Sequence, residues 1–162
     1  MDNNNYVNEF FQKFGKGVSS RRIANDCKNL YEKYPNFVLS NNSGNVELTV
    51  IENEEKYGFI FKNTYPFQPP KIYYNGNSYL DLLRITDNDE RKIVRKYKKK
   101  DCLCCDSYDC PDNWSPSINL TSIVDEIKNI VKFKKAIVHI LLADKIKEKY
   151  LIDDIDINSY LI

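Results

Sequence analysis

Tyr65-Pro66-Phe67-Gln68-Pro69-Pro70-Lys71 is the segment from which the rest of the chain can be read. Three prolines within residues 66–70 remove three backbone donors and hold φ near −65°, so neither a helix nor a central strand passes through. Residues that precede a proline are pushed to extended geometry. The segment is therefore a rigid, extended loop, and β-structure surrounds it. Upstream, Val46-Glu47-Leu48-Thr49-Val50-Ile51-Glu52 alternates with period two, the mark of a strand with one buried face. Phe37-Val38-Leu39 precedes it across a stretch of turn chemistry, Asn41–Asn45. Tyr57-Gly58-Phe59-Ile60-Phe61 follows the tight polar link Asn53–Lys56. Downstream, Ile72-Tyr73-Tyr74 is closed by Asn75-Gly76. Links this short cannot cross over a sheet, so the four strands form an antiparallel meander.

Helical spacing takes over on both sides. Tyr6, Phe10, Phe11 and Phe14 share one face of a short helix that Gly15 and Gly17 end. Ser19 or Ser20 is placed to cap a second helix, whose apolar residues are Ile23, Cys27, Leu30, Tyr31 and Tyr34, with Pro35 as its stop. From Ile118 to the C-terminus there is no Pro or Gly. Ile123, Ile127, Ile130, Val131, Ile137, Val138, Leu141 and Leu142 keep helical spacing. Thr121 or Ser122 reads as the N-cap, with Asp125 and Glu126 in the first turn. Such a run is long for one globular helix, which predicts two helices or a bend. The order is an N-terminal helix, a four-stranded antiparallel meander and C-terminal helices: an α+β domain. We divide it into an N-terminal extension, 1–18, expected to be helical; a core, 19–152, with a basic insertion near 84–101; and an acidic tail, 153–162.

A chain of 162 residues is one domain by length. With 42% hydrophobic and 29% charged residues it has globular composition. Lys+Arg is 24 against 23 Asp+Glu, a net charge of +1, which argues against a general nucleic-acid binder. No apolar run approaches the ~20 residues of a membrane span. The polar N-terminus lacks the regions of a signal peptide, so the expectation is a soluble, cytoplasmic protein. Arg91–Lys100 holds seven basic residues in ten. Its plain reading is a solvated helix or insertion; the sharper one is a contact for a charged partner.

Of five cysteines, Cys27 sits alone on the apolar face of the second helix and reads as a small core residue. The other four, Cys102, Cys104, Cys105 and Cys110, fall within nine residues. That spacing is too tight for most disulfide pairings of a secreted framework, and in a reducing compartment it points to catalysis or metal binding. The single His139 lies in an apolar helical stretch, where it reads as a packed or rim residue and not as half of a Cys–His pair.

Taken together, these residues resemble the ubiquitin-conjugating enzyme family. The helix with Arg22, Ile23 and Leu30 looks like that family's first helix. Tyr65–Lys71 is similar to its Tyr-Pro-Phe-x-Pro-Pro-Lys loop, and a cysteine followed by Trp114-Ser115-Pro116 looks like its active-site Cys and Trp-Ser-Pro. The resemblance covers roughly residues 20–130. It implies a transferase that accepts ubiquitin, or a ubiquitin-like modifier, as a cysteine thioester from an activating enzyme. The modifier then passes to a lysine amine, with a ligase as partner. Such acyl transfer through a thiol is covalent catalysis. No cofactor is implied, since the activating enzyme uses the ATP. By spacing to Trp114, Cys104 ranks first as nucleophile, then Cys105, then Cys102. Trp114 and Pro116 become active-site neighbours, and Pro66, Phe67, Pro69 and Pro70 a partner-binding loop. The family's His-Pro-Asn motif, whose Asn is assigned to the oxyanion, falls here on Leu80-Asp81-Leu82. Asn113 or Asn88 is the substitute candidate for that donor. The proline-containing stretch usual after the family's second helix is absent.

Two other functions compete. One is a catalytically inert variant of the same fold that binds ubiquitin or a partner enzyme, which the missing motif favours and the retained cysteine opposes. The other is a zinc module using Cys102, Cys104, Cys105 and Cys110, although two separated Cys-x2–4-Cys knuckles are the usual arrangement.

Overall fold

The computed structural model describes residues 3–14 and 18–150; Gly15, Gly17 and the acidic tail 153–162 lie outside the described residues. The sheet is a meander of five antiparallel strands in the order β1 (Phe37–Asn42), β2 (Asn45–Glu52), β3 (Glu55–Phe61), β4 (Lys71–Tyr74) and β5 (Asn77–Ser78). The four expected strands are all present, and the two-residue β5 is added by the Asn75-Gly76 turn. Two-residue turns close three of the hairpins, pairing Asn42 with Asn45, Glu52 with Glu55 and Tyr74 with Asn77. Both central residues of each have positive φ: Ser43 and Gly44, Asn53 and Glu54, Asn75 and Gly76. That is the twist-matching turn of tight hairpins, and it sets the register. Only the β3–β4 connection differs: the proline loop that occupies it is a run of turns and not the extended segment expected, with the Phe67 and Gln68 N–H groups both bonded to the Thr64 carbonyl.

The register puts Phe37, Leu39, Leu48, Val50, Tyr57, Phe59, Phe61 and Ile72 on one buried face. They join a single core with Ile23, Cys27 and Leu30 of helix α2 (Val18–Tyr31) and Ile123, Val124 and Ile127 of helix α5 (Leu120–Tyr150). Cys27 is fully buried, and burial pushes its thiol up to about 12, so it is the inert core residue its spacing implied. Helix α1 (Asn3–Phe14) packs on α2 and β1. Its Tyr6 hydroxyl lies 3.1 Å from both the N–H and the carbonyl of Leu39, covering part of the open β1 edge.

Three local expectations change. The Ser19 hydroxyl does not cap α2; it donates to the carbonyls of Asn63 (3.1 Å) and Tyr65 (2.7 Å), fastening α2 to the entry of the proline loop. The N-cap of α5 is Asn119, whose Oδ1 accepts from the Ser122 N–H at 2.8 Å. Thr121 and Ser122 are thus inside the helix, and its first turn carries no acidic residue. Last, α5 is one helix of 31 residues, not two. Between β5 and α5 the chain forms a short helix α3 (Tyr79–Leu83) and the insertion helix α4 (Asn88–Lys98). Helix α4 is amphipathic: Ile93 and Val94 are buried while its basic residues face outward. It packs on α5, with Lys98 over the Phe133 ring and Lys134 bonded to Glu90 and to the Arg84 carbonyl. The insertion supplies a partner for the second half of α5, which removes the reason for a bend.

Helix α4 also follows its sequence in detail. Asp87 caps it by accepting from the Asp89 N–H, and Lys99 closes it in the left-handed conformation. Asp89 and Glu90 sit in its first turn and Arg95, Lys96 and Lys98 in its last, which complements the helix dipole. Among the described residues no helix is long and apolar enough to cross a membrane.

Candidate functional site

The loop from Cys102 to Trp114 has few regular bonds available to it, so turns satisfy its backbone. The N–H of Ser107 donates to the Cys104 carbonyl, that of Cys110 to Ser107, and that of Asn113 to Cys110. Each step spans three residues, and the first closes a 3-10 turn over Cys104–Asp106. Leu103, 4% exposed, anchors the loop in the core. Ser107 is buried and its hydroxyl donates back to the Cys104 carbonyl at 3.1 Å. The Tyr108 N–H reaches the Glu126 carboxylate of α5 at 3.1 Å. A loop pinned at three points in six residues holds its side chains in place, as a reactive site requires.

On this turn the sulfurs of Cys102, Cys104 and Cys105 all lie within 4.8 Å of one another. The three nucleophile candidates are therefore one site. Cys102 and Cys104 are partly exposed and Cys105 is open to solvent. Their thiols do not ionise alike. Hydrogen bonds from Cys105 and Cys104 hold the Cys102 thiol below its ordinary value. The hydrogen bond to Cys102, with desolvation, raises that of Cys104. Its hydrogen bonds with Cys102 and Cys104 push Cys105 up to about 12. Cys110, partly exposed, is not within the close trio.

The proline loop meets this turn through Trp114. Its Nε1–H donates to the Pro66 carbonyl at 2.8 Å across 48 residues of sequence, and its ring lies 6.1 Å from that of Tyr65. Beneath them is a network that motif reading does not show. The Arg22 guanidinium pairs with Asp26 at 2.8 Å and donates to the carbonyls of Pro116 and Ile118 (2.9 Å for the latter). The Tyr65 hydroxyl donates to the same Asp26 carboxylate. Burial, then the charge of Asp26, raises the Tyr65 phenol, so it remains a donor. Helix α2, the proline loop and the segment after Trp114 are thus tied at one buried carboxylate, 3% exposed. The i, i+4 spacing of Arg22 and Asp26 was the one available sequence signal.

The loop residues divide by role. Pro66 and Pro70 are buried framework, Pro69 is partly exposed, and only Phe67, 78% exposed, presents a large apolar surface outward. Pro116 is exposed, its carbonyl held by Arg22. Behind the cysteine turn an open groove of about 430 Å³ runs between Leu103, Asp106 and Tyr108 and the α5 residues Asp125, Glu126 and Ile130. Burial raises the Glu126 carboxyl even though Tyr79 and Tyr108 donate to it, and burial likewise raises Asp109.

Neither oxyanion candidate offers a free donor at the thiols. The Asn113 side-chain amide donates to the carbonyls of Cys105 (2.6 Å) and Ser107 (3.2 Å), so both its hydrogens brace the turn. Asn88 opens the far end of α4, about 15 Å along the helix from the end that leads into Cys102. Leu80-Asp81-Leu82 lies in helix α3. His139 is on the exposed side of α5. Three of the seven basic residues of the run are ion-paired: Lys92 with Asp89, Arg95 with Asp101 and Lys100 with Asp106.

The three sulfurs are close enough together to hold a metal ion. Thiolates are the ligands that select zinc or cuprous copper, and a tetrahedral site takes four donors. No family model, no curated protein and no solved structure matches this chain.

Proposed function

We propose that the chain is a ubiquitin-conjugating-type transferase, with Cys104 as the thiol that carries the modifier. The observation that carries this reading is the bond from Trp114 to Pro66, which joins the Trp-Ser-Pro segment to the proline loop beside a rigid cysteine turn. Exposed Phe67 fits a docking contact with the activating enzyme or a ligase, where a solvent-facing aromatic on a stiff loop contributes binding at low entropic cost. In the reaction the Cys104 thiolate attacks the activating enzyme's thioester, and the modifier is then released to a lysine amine. Asn113 is a positioning residue that holds the carbonyls of Cys105 and Ser107.

The test is a charging assay with activating enzyme, ubiquitin and ATP, read on gels with and without reductant. The expected result is a reductant-sensitive adduct. Cys104→Ser should convert it to a reductant-resistant ester, because serine forms the same acyl link through oxygen. An adduct that survives Cys104→Ala unchanged overturns that assignment, and no adduct with a competent activating enzyme overturns the transferase reading in favour of the inert binding variant.

The cysteine trio supports a second reading, a zinc site. Zinc on Cys104 would block its nucleophilicity, so the two readings exclude one another at that atom. About one zinc per purified chain, with unfolding on chelation, favours the metal. Metal-free protein with freely alkylated thiols disposes of it.

A further inference from the structure

Cys102-Leu103-Cys104-Cys105 contains a Cys-x-x-Cys spacing that acyl transfer through a single thiol does not use. At this spacing one turn of chain brings the first and fourth side chains to the same side, which is why dithiol couples recur there. Here the chain entering the 3-10 turn over Cys104–Asp106 does so: the Cys102 and Cys105 sulfurs lie 2.8 Å apart, against about 2.05 Å for a formed bond. The turn is braced on both flanks by Leu103 in the core and by Asn113 on the Cys105 carbonyl, so little motion is needed to close the pair.

We infer that Cys102 and Cys105 form a thiol–disulfide exchange site, a dithiol that closes to an intramolecular disulfide at the expense of a small disulfide of the glutathione class. The first step is attack by the Cys102 thiolate on one sulfur of the small disulfide. A Cys102–glutathione bond forms, the glutathione disulfide bond breaks and one glutathione thiolate leaves. In the second step the Cys105 thiol loses its proton to solvent and its sulfur attacks Cys102 Sγ, expelling the second glutathione. Two protein thiols are oxidised and one glutathione disulfide is reduced to two thiols, so electrons balance. The division of labour follows the geometry: once Cys102 carries the glutathione, the solvent-open Cys105, its sulfur 2.8 Å away, is the thiol placed to resolve the mixed disulfide. Cys104 takes no part, and the proposal stands whether or not Cys104 carries a modifier.

The experiment is alkylation and intact mass measurement on the full, folded chain after equilibration in glutathione buffers of increasing oxidation. Buried Cys27 is silent, so the reduced protein should show the four loop thiols, falling to two in oxidising buffer with loss of two hydrogens. Peptide mapping should place the bond at Cys102–Cys105. Cys104→Ser should leave closure intact. Cys105→Ser should stop at the glutathione mixed disulfide on Cys102, and Cys102→Ser should abolish closure. Four thiols still alkylatable in oxidising buffer overturn the proposal. So does a bond that persists in both Cys102→Ser and Cys105→Ser, or protection that disappears on chelation, which would identify a metal site instead.

Discussion

Replacing Arg22 with Met tests whether the buried carboxylate organises the site. Arg22 is 26% exposed and Asp26 3%, with 2.8 Å between Nε and Oδ2. The substitution keeps the side chain's apolar stem and helix propensity but leaves Asp26 buried with the Tyr65 hydroxyl as its hydrogen-bond donor. Breaking a fully buried pair from one side costs about 3–5 kcal/mol. Water reaches a quarter-exposed guanidinium, which places the cost near the lower end, about 3 kcal/mol. With an m-value of about 2 kcal/mol/M, the urea midpoint should fall by about 1.5 M. The decisive assay is a double-mutant cycle. If an orphaned charge is the cause, Arg22→Met with Asp26→Leu should be less damaging than the sum of the two singles, with a coupling of about 1–3 kcal/mol. A single-variant loss under about 0.5 kcal/mol, or an additive double variant, would refute the reasoning, since contacts to the Pro116 and Ile118 carbonyls alone predict no coupling to Asp26.

Phe67→Ala should leave the unfolding free energy within about 0.5 kcal/mol of wild type, because the ring is already in water, while slowing charging by the activating enzyme; a large stability loss would mean the ring packs on the fold. Charging through Cys104 should accelerate about tenfold per pH unit from neutrality upward, because its thiol is raised and only the thiolate attacks; a rate flat from pH 7 to 9 in a single-turnover assay would contradict this. Glu126 has a raised folded pKa, so the folded state holds its proton longer and stability falls as pH climbs from the unfolded to the folded value. Urea titrations should show Glu126→Gln flattening that fall, and an unchanged pH profile would rule the residue out as its source. Glu54 adopts φ of 69°, so Glu54→Gly should stabilise by about 1 kcal/mol, read as a higher melting temperature; destabilisation would show that the Glu54 side chain matters more than its backbone.

Much of the architecture was legible because local rules carried it. The strand alternation, the turn residues and the proline loop each act over a few neighbours, so the meander of the first four strands and the exclusion of helix from 65–71 follow from residue order. Cys27's burial followed from helical spacing in the same way. The single α5 did not. Its length looked excessive because Ile93 and Val94, separated from it by more than twenty residues, provide the covering surface that keeps it whole. Nor did Ser19, whose cap chemistry was real but whose hydroxyl found two loop carbonyls instead.

The site divides along the same line. Sequence by itself determined that four cysteines crowd one short loop ahead of Trp114, and that a stiff proline segment exists to meet them. Only tertiary structure decided that three of those sulfurs share one spot and ionise differently, that Asn113 braces the turn, and that Arg22, Asp26 and Tyr65 hold the pieces in register. The physical reason is range. Turn and strand preferences act between neighbours, whereas a thiol's ionisation or a buried carboxylate's partners depend on groups that folding brings from tens of residues away.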